Sequence, residues 1–541
     1  MRIAVGLVGE RGGALQRLGE DGVPLGPVRR VEDLAGAVRE LEADAPRWVW
    51  EASSRVYPRL LAAGVRVERC HDLELVEALL LGFDGRFGDP RSVPAALARL
   101  RGLAVPEDEA DDDQPSLFGE RAETSVEDVV AVHAAQLAGL EAREGGGRLR
   151  LLAAAESAGG LVAAEMSRAG LPWRADVHDE LLSGMLGPRP GPGMRPKVLQ
   201  GLADRIAAEF GGHVNPDSPQ QLLKAFAGAG FTITSTRAHV LRQIEHPAVP
   251  YLLEYKELSR MYTAHGWSWL DTWAKDGRFR AEYLVGGVVS GRWATRGGGA
   301  LQIPKVLRRA VIADPGWVLV VADAAQLEPR VLAALAGDAA FAAAAAQGDL
   351  YAALAEAFTA TPGGQSPRDK AKIAMLSAMY GGGTGEAVQL LAVLRHRFPR
   401  AFAYVENAAR AGERGELVRS LLGRTCPAAS AEFRDLITTE AGRSAAASRG
   451  RFTRNFVVQG TAAEWALALM ASLRRRLAAH KAHLVFFQHD EVIVHAPEAE
   501  AAAVTAAIGE AALEAARLLF GPTPVIFPME IATVACYADA K

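Results

Sequence analysis

Cysteine is almost missing from this chain of 541 residues: Cys70, Cys426 and Cys536 are the only three. Three scattered thiols build neither a disulfide framework nor a zinc site, which needs clustered ligands. They are expected to be inert packing residues. Long hydrophobic runs are missing too. No stretch reaches the ~18 apolar residues of a membrane span, and the N-terminus lacks the charged-then-apolar pattern of an export signal. A soluble, cytoplasmic protein with no membrane partner is therefore expected. No repeat period points to a solenoid. Gly381-Gly382-Gly383-Thr384-Gly385 lacks the Lys-Ser/Thr of a phosphate-binding loop and reads as a helix stop. Net positive charge is missing as well: the formal charge is -4, which by itself does not advertise a polyanion ligand.

Hydrophobic residues make up 49% of the chain, enough for buried cores in about two to four domains. Charge is unevenly spread. Residues 395–454 hold twelve Arg against six Asp or Glu, and residues 105–113 hold six acids and no base. A basic face with an acidic linker fits a polyanion bound at one place; a solvated Arg-rich face fits the first observation equally well. Residues 2–8 and 47–50 read as strands, each followed by helix, in a small α/β unit. A linker or mobile loop is expected near 105–125. Residues 126–263 read as helical, with breaks at Gly159-Gly160, at Gly187 to Gly193 and at Asn215-Pro216. Turns and strands fill 274–345, where Asp314-Pro315-Gly316 is a tight turn feeding a strand at 317–322. Helix dominates 339–480, followed by strand–turn–strand at 483–495 and a helix near 498–518.

Three separated stretches carry chemistry. The run Val318 to Ala322 ends on Asp323, with Gln326, Glu328 and Arg330 just behind. An acid at a strand end is open to a ligand above the sheet, or is an N-cap. His489-Asp490-Glu491 sits between two apolar strands. It is either an ordinary acidic hairpin turn or the second half of a site, because two strand-end acids on neighbouring strands can hold a pair of Mg²⁺ ions about 3.5–4 Å apart. Arg368, Lys372, Leu376 and Tyr380 recur every fourth residue and share one helix face. Cations on its first half suit a triphosphate and apolar groups beyond suit a base and sugar; a snorkelling amphipathic helix has the same pattern. Divalent metals and a cationic stripe together are what nucleotidyl transfer requires.

These stretches resemble the motifs of family A DNA polymerases, the bacterial DNA polymerase I type. Asp323 to Arg330 resembles motif A (D-Y-S-Q-I-E-L-R), Arg368 through Gly381 the fingers helix of motif B, and Gln488-His489-Asp490-Glu491 motif C. Ser290-Gly291-Arg292-Trp293 with Leu301-Gln302-Ile303-Pro304, Leu422-Gly423-Arg424-Thr425, and Arg451 to Asn455 with Gln459-Gly460-Thr461-Ala462-Ala463 resemble lesser signatures in the same order. The likeness is close over about 280–500 and looser over 150–280.

The resemblance implies an α/β multi-domain right-hand polymerase with palm, fingers and thumb behind a degenerate exonuclease-like α/β domain. The expected division is 1–130 exonuclease-like, 131–265 thumb, 266–345 palm, 346–454 fingers and 455–541 palm again. The implied reaction is template-directed addition of dNTPs to a primer 3′ end, in replication or repair, by a monomer bound to primer–template DNA. Asp323 and Asp490, with the Ala324 carbonyl, would hold two Mg²⁺ ions, for which Mn²⁺ could substitute. Glu491 would support the primer end. Arg368 and Lys372 would grip the triphosphate, Lys372 also protonating the leaving pyrophosphate. Gln326, Leu376, Tyr380 and Tyr351 would complete the nucleotide site, with Glu328 as the gate against a ribose 2′-hydroxyl. Arg292, Arg424, Arg451, Asn455, Gln459 and His489 would touch DNA.

The chain departs from the family where Leu376 replaces an aromatic residue, Ala324 the motif A tyrosine, and Tyr351 a triphosphate-contacting histidine. The first ~130 residues resemble the proofreading domain without its D-x-E, with Glu51 to Tyr57 lacking the wanted Asp, and with Thr124 where a tyrosine would precede Asp128. A structural domain without nuclease activity is expected there, and no flap-type 5′ nuclease domain.

Overall fold

The computed structural model describes residues 1–108, 124–358, 366–381 and 386–540. The chain divides into two units. The larger comprises Met1–Ala169, Tyr283–Ala294 and Val320–Ala532; the smaller comprises Gly170–Glu282, Thr295–Leu319 and Thr533–Lys541.

Alternate residues of a strand point to opposite faces, and the first strand of the larger unit buries both. Ile3 and Val5 join Trp48 and Trp50 in one core cluster, while Ala4 joins Val49 in another. This is why its sequence is apolar without interruption. The sheet runs β3-β2-β1-β4-β5, with β1 Arg2–Val8, β2 Gly12–Leu18, β3 Arg29–Val31, β4 Arg47–Trp50 and β5 Arg69–Asp72. β1 pairs antiparallel with β2 and parallel with β4. The helix expected directly after β1 is therefore a strand. Gly9 turns the chain at φ 60°, and the following residues fold back as a hairpin. A helix does follow β4: α1, Ser53–Ala62, and then α2, Leu73–Phe83, after β5. The acidic stretch expected as a linker lies mostly outside the described residues.

Two long helices come next, α3 Val126–Ala142 and α4 Gly146–Ala169. The break expected at Gly159-Gly160 is absent, and α4 runs through both. A Cβ on Gly159 would meet Leu467 at 3.0 Å and Val285 at 3.1 Å, and one on Gly160 would meet Ser53 at 2.9 Å. The glycines permit close packing. Each costs a helix interior about 1 kcal/mol, a cost the contacts on both sides offset.

The smaller unit is built on helices Ala175–Leu186, Lys197–Glu209, Pro219–Gly228 and Ala248–His265, packed through Leu182, Leu199, Ile206, Leu222, Phe226 and Leu252. Its breaks fall where the sequence predicts. Gly187 leaves the helix at φ 85°, and Asn215-Pro216 lies between two helices.

A four-stranded sheet carries the strand-end acids Asp323 and Asp490. Its strands are β6 Trp317–Ala324, β7 His483–Gln488, β8 Glu491–Pro497 and β9 Met529–Val534, in the order β7-β8-β6-β9. The Trp317 N–H donates to the Asp314 carbonyl at 2.9 Å, closing the predicted Asp-Pro-Gly turn. The helices that matter below are α5 Leu327–Ala336, α6 Leu350–Ala355, α7 Pro367–Tyr380, α8 Pro399–Glu413, α9 Arg443–Arg476 and α10 Ala501–Phe520. α9 packs on α4, α8 and α10. With the turn that follows it, to Ala479, it is long and apolar enough to cross a membrane, but 89% of its apolar window is buried inside the protein, as in a core helix.

Candidate active site

The β7–β8 hairpin turns on two residues, His489 and Asp490, between the paired Gln488 and Glu491. Two-residue hairpins need left-handed backbone, usually supplied by Gly or Asn. Here His489 adopts it, at φ 59°. The turn brings the Asp490 carbonyl to the Ala324 N–H at 3.1 Å, so the hairpin tip is tied to the end of β6 beside Asp323. The two strand-end acids thus lie on neighbouring strands, as the sequence suggests. Asp323 is no N-cap: Gln326 caps α5, without a side-chain hydrogen bond. Burial pushes the Asp490 carboxyl up to about 6, and the charge of Asp323 pushes the same way. Glu491 is only 4% exposed, so little of its carboxylate is open to a primer end. Ala324 is buried by its side chain and contributes backbone only.

The predicted helix face is real. On α7, Arg368, Lys372 and Tyr380 are exposed and Leu376 half-buried, while Lys370, Ala371, Ala374, Met375, Ala378 and Met379 are buried. Ser366 caps its start, accepting from the Asp369 N–H at 3.1 Å. Gly381 ends it at φ 63°; the rest of the glycine run lies outside the described residues. The Tyr380 hydroxyl donates to Glu328 at 2.6 Å, and Arg292 pairs with the other oxygen of the same carboxylate. Glu328 is thereby pinned from two sides.

Gln326 is also left-handed, at φ 56°. Its amide donates to Asp349 at 2.8 Å and accepts from the Leu350 N–H at 2.8 Å. Asp349 accepts from Arg368 at 2.7 Å, and the Arg368 guanidinium lies 5.9 Å from the Tyr351 ring centre. Burial pushes the Tyr351 hydroxyl up to about 12. Arg330, wholly buried, donates to the carbonyls of Ala325, Ala345, Gln347 and Ile526 at 2.8–3.1 Å. It fixes the loop that delivers Asp349. A cavity of about 300 Å³ opens between these groups. Arg292, Gln326, Glu328, Tyr351, Leu376, Tyr380, His489 and Asp490 are among the residues that line it. Ala462 and Ala463 of α9 also line it, small residues that leave the space open. Their role and that of Asp349 are missed by the sequence reading. Asp349 is legible only as a helix cap.

Of the expected DNA contacts, Arg451 is exposed and Asn455 and Gln459 half-buried, one α9 face at four-residue spacing that runs toward Ala462 and Ala463. Burial and the nearby Arg292 lower the pKa of His489. Arg424 is a correction. Its side chain is 10% exposed and paired with Glu156, itself 2% exposed, and burial pushes its guanidinium down to about 10. A guanidinium committed to a buried carboxylate is not available to a phosphate. The basic excess at 395–454 is also smaller in space than in sequence, since Glu156 and Glu356, from outside the stretch, pair with Arg424 and Arg397.

In the N-terminal sheet the surviving acids are engaged. Asp72 is 2% exposed and accepts from the N–H groups of Ser53 and Leu75 at 2.6 and 3.0 Å. Glu51 accepts from Arg55 at 3.3 Å and from the Thr124 hydroxyl. Arg55 also pairs with Glu74 at 3.1 Å, whose carboxyl burial pushes up to about 7. Among the described residues no group of three or more His, Cys, Asp or Glu side chains could hold a metal ion.

The family model for DNA polymerase family A matches residues 196–520. DNA polymerase I of Chloroflexus aurantiacus is 29% identical over 339 residues, covering 55% of this chain and 35% of that protein. The thermostable DNA polymerase I of Thermus thermophilus is 29% identical over 325 residues, covering 55% and 37%. The chain thus matches about a third of the length of these relatives. The polymerase domain of M. smegmatis Pol1, solved with DNA primer-template and dNTP, superposes with a TM-score of 0.74 at 19% identity, covering 99% of this chain and 95% of that one. The likeness bears out the α/β right-hand polymerase fold.

Proposed function

The chain belongs to DNA polymerase family A, and on that footing we propose that it extends a primer 3′ end on a DNA template, adding dNTPs with release of pyrophosphate. The observation that carries this is the cavity lined both by Asp490, tied by its carbonyl to Ala324, and by Leu376 and Tyr380 of α7, the helix whose first half carries Arg368 and Lys372. The donor set fits Mg²⁺, which takes one or two carboxylates and completes its shell with phosphate oxygens and water. Asp323 and Asp490 are two such carboxylates, and the charge of Asp323 opposes ionisation of Asp490, an opposition that a cation bound beside them would relieve. When bound there, two Mg²⁺ ions would acidify the primer hydroxyl and neutralise charge on the reacting phosphate.

The protein groups do the rest. Arg368 and Lys372 bind the triphosphate, and Lys372 stands on the same face to return a proton to pyrophosphate. Leu376 and Tyr380 flank the nascent pair. Glu328, held by Tyr380 and Arg292, stays where a 2′-hydroxyl would collide with it. Arg292, Arg451, Asn455 and Gln459 hold primer and template by shape and phosphate rather than sequence. The N-terminal domain supplies no proofreading, its acids being spent on helix capping and on Arg55.

Primer extension with dNTPs and Mg²⁺, with and without Asp490→Ala, tests the reading. Template-dependent extension lost in the variant is expected. DNA binding without any extension by the unaltered chain would mean a non-catalytic binder on a polymerase scaffold.

A further inference from the structure

Asp349 does more than cap a helix. Capping α6 uses one carboxylate oxygen, Oδ1, which accepts from the Ala352 N–H at 3.1 Å and from Gln326 at 2.8 Å. Asn or Ser would cap as well. The second oxygen, Oδ2, goes to Arg368 at 2.7 Å. The negative charge is therefore what the cap does not explain. Its surroundings keep it in place: Arg330 ties down the carbonyls of the preceding loop, and Gln326 holds a left-handed backbone, a conformation unfavourable for a non-glycine residue, while bracing Asp349.

We propose that Asp349 is a built-in competitor for Arg368, a fixed anion that occupies the triphosphate-binding guanidinium when no nucleotide is bound and so sets the affinity for dNTP. The proposal rests on the reading of Arg368 as a triphosphate ligand. Asp349 takes the Nε–H of Arg368, and a triphosphate that needs that N–H must displace it. Burial opposes the charge on Asp349, but hydrogen bonds from Arg368, Gln326 and Ala352 hold its pKa down to about 2. The competitor is thus ionised at every working pH and is no pH switch. The pair is half-exposed, 49% at Arg368 and 39% at Asp349, so the competition is mild and reversible. Asp349 acts through Arg368 and is a positioning residue, not a catalytic one.

The test is dNTP affinity and saturating rate on one primer–template for Asp349→Asn, Arg368→Ala and the double variant, with inhibition by inorganic tripolyphosphate as a probe of the phosphate subsite alone. Asn keeps the cap and removes the charge. Asp349→Asn is expected to bind dNTP about threefold tighter, the range of an exposed ion pair, with the change in affinity rather than in the saturating rate. It should be inhibited by proportionately less tripolyphosphate. The gain should vanish in the Arg368→Ala background. Asp349→Ser, another capping residue, should reproduce it should the Asn variant fold poorly. Unchanged or weaker binding in a cap-preserving variant with a normal melting temperature would overturn the proposal, showing that the carboxylate orients Arg368 for the triphosphate instead of withholding it. Normal dNTP affinity in Arg368→Ala alone would overturn the underlying reading, and the proposal with it.

Discussion

Two sheets of this chain place acids at strand ends, and they use them differently. In the N-terminal sheet Asp72 ends β5, is 2% exposed, and gives its oxygens to two backbone N–H groups. Glu51 follows β4 and is neutralised by Arg55. In the second sheet Asp323 and Asp490 lie at the ends of neighbouring strands, Asp490 lines an open cavity, and its carboxyl rises to about 6 under burial and the charge of Asp323. The topological setting is alike. What separates the two is the neighbour: Asp72 meets backbone donors, whereas Asp490 meets the charge of a second acid. A carboxylate held by backbone N–H groups stabilises the fold; one whose charge is opposed by a neighbouring acid is stabilised by a cation from outside.

The largest effect expected from breaking this contrast is at the second sheet. Asp323→Ala or Asp490→Ala should reduce extension to below a few per cent while leaving DNA affinity, which comes mainly from phosphate contacts elsewhere, nearly intact. Single-turnover extension beside a DNA-binding titration checks both. The counterpart is that Mg²⁺ or Mn²⁺ should not shorten single-stranded DNA. Shortening that survives Asp490→Ala would place a working nuclease in the N-terminal domain.

Next in size is Arg424. Replacing it with Ala leaves Glu156 buried without its cation and should cost about 3–5 kcal/mol of stability, part of it restored by Glu156→Gln. Denaturant unfolding measures this. Arg451→Ala should leave stability alone and lower the dependence of log affinity on log salt by about one unit. Equal salt slopes for the two variants would put both arginines on the DNA.

The two regions should also answer pH with opposite sign. His71 and His133 are buried ring to ring, 4.8 Å apart, in the N-terminal domain. Burial lowers both, His71 to about 4, with Arg2 and Arg47 adding repulsion. Unfolded, they take up protons below about 6.5; folded, His71 does so only near 4. Stability is therefore lost as pH falls through that window, by about 3 kcal/mol for His71 alone. Asp490 runs the other way. Its folded pKa is raised, so its contribution is present below the ordinary carboxylate value and lost as pH rises through about 6. Thermal melting of His71→Asn against pH should be flatter than that of the unaltered chain between 6.5 and 4.

The smallest effect is at Leu376, which lines the cavity where the resemblance expects an aromatic ring. Leu376→Tyr should lower the KM for dNTP several-fold, about 1 kcal/mol of ring contact, and raise use of dideoxynucleotides. Steady-state kinetics with dTTP and ddTTP decide it, and no change in either would mean the side chain turns away from the nucleotide.

The acids at 323 and 490, the α7 face and the Asp-Pro-Gly turn were legible in the sequence because each rests on a local rule. Strand ends, helical spacing and turn chemistry need only a few neighbouring residues. β2 was misread as helix because its partner strand, not its own composition, makes it a strand. Gly159-Gly160 was misread as a break because the reason for two glycines is Leu467 and Val285 on one side and Ser53 on the other, residues remote in the chain. The same holds for charge. Arg424 and Arg451 look alike in sequence, and only the approach of Glu156 makes one internal. Asp349 has no role in the sequence reading, and only the packing of α6 against α7 gives its second oxygen to Arg368. Local chemistry wrote the motifs into the chain; which charges remain free to meet a ligand was decided by tertiary contacts, because burial and pairing depend on groups that the backbone brings together from far apart.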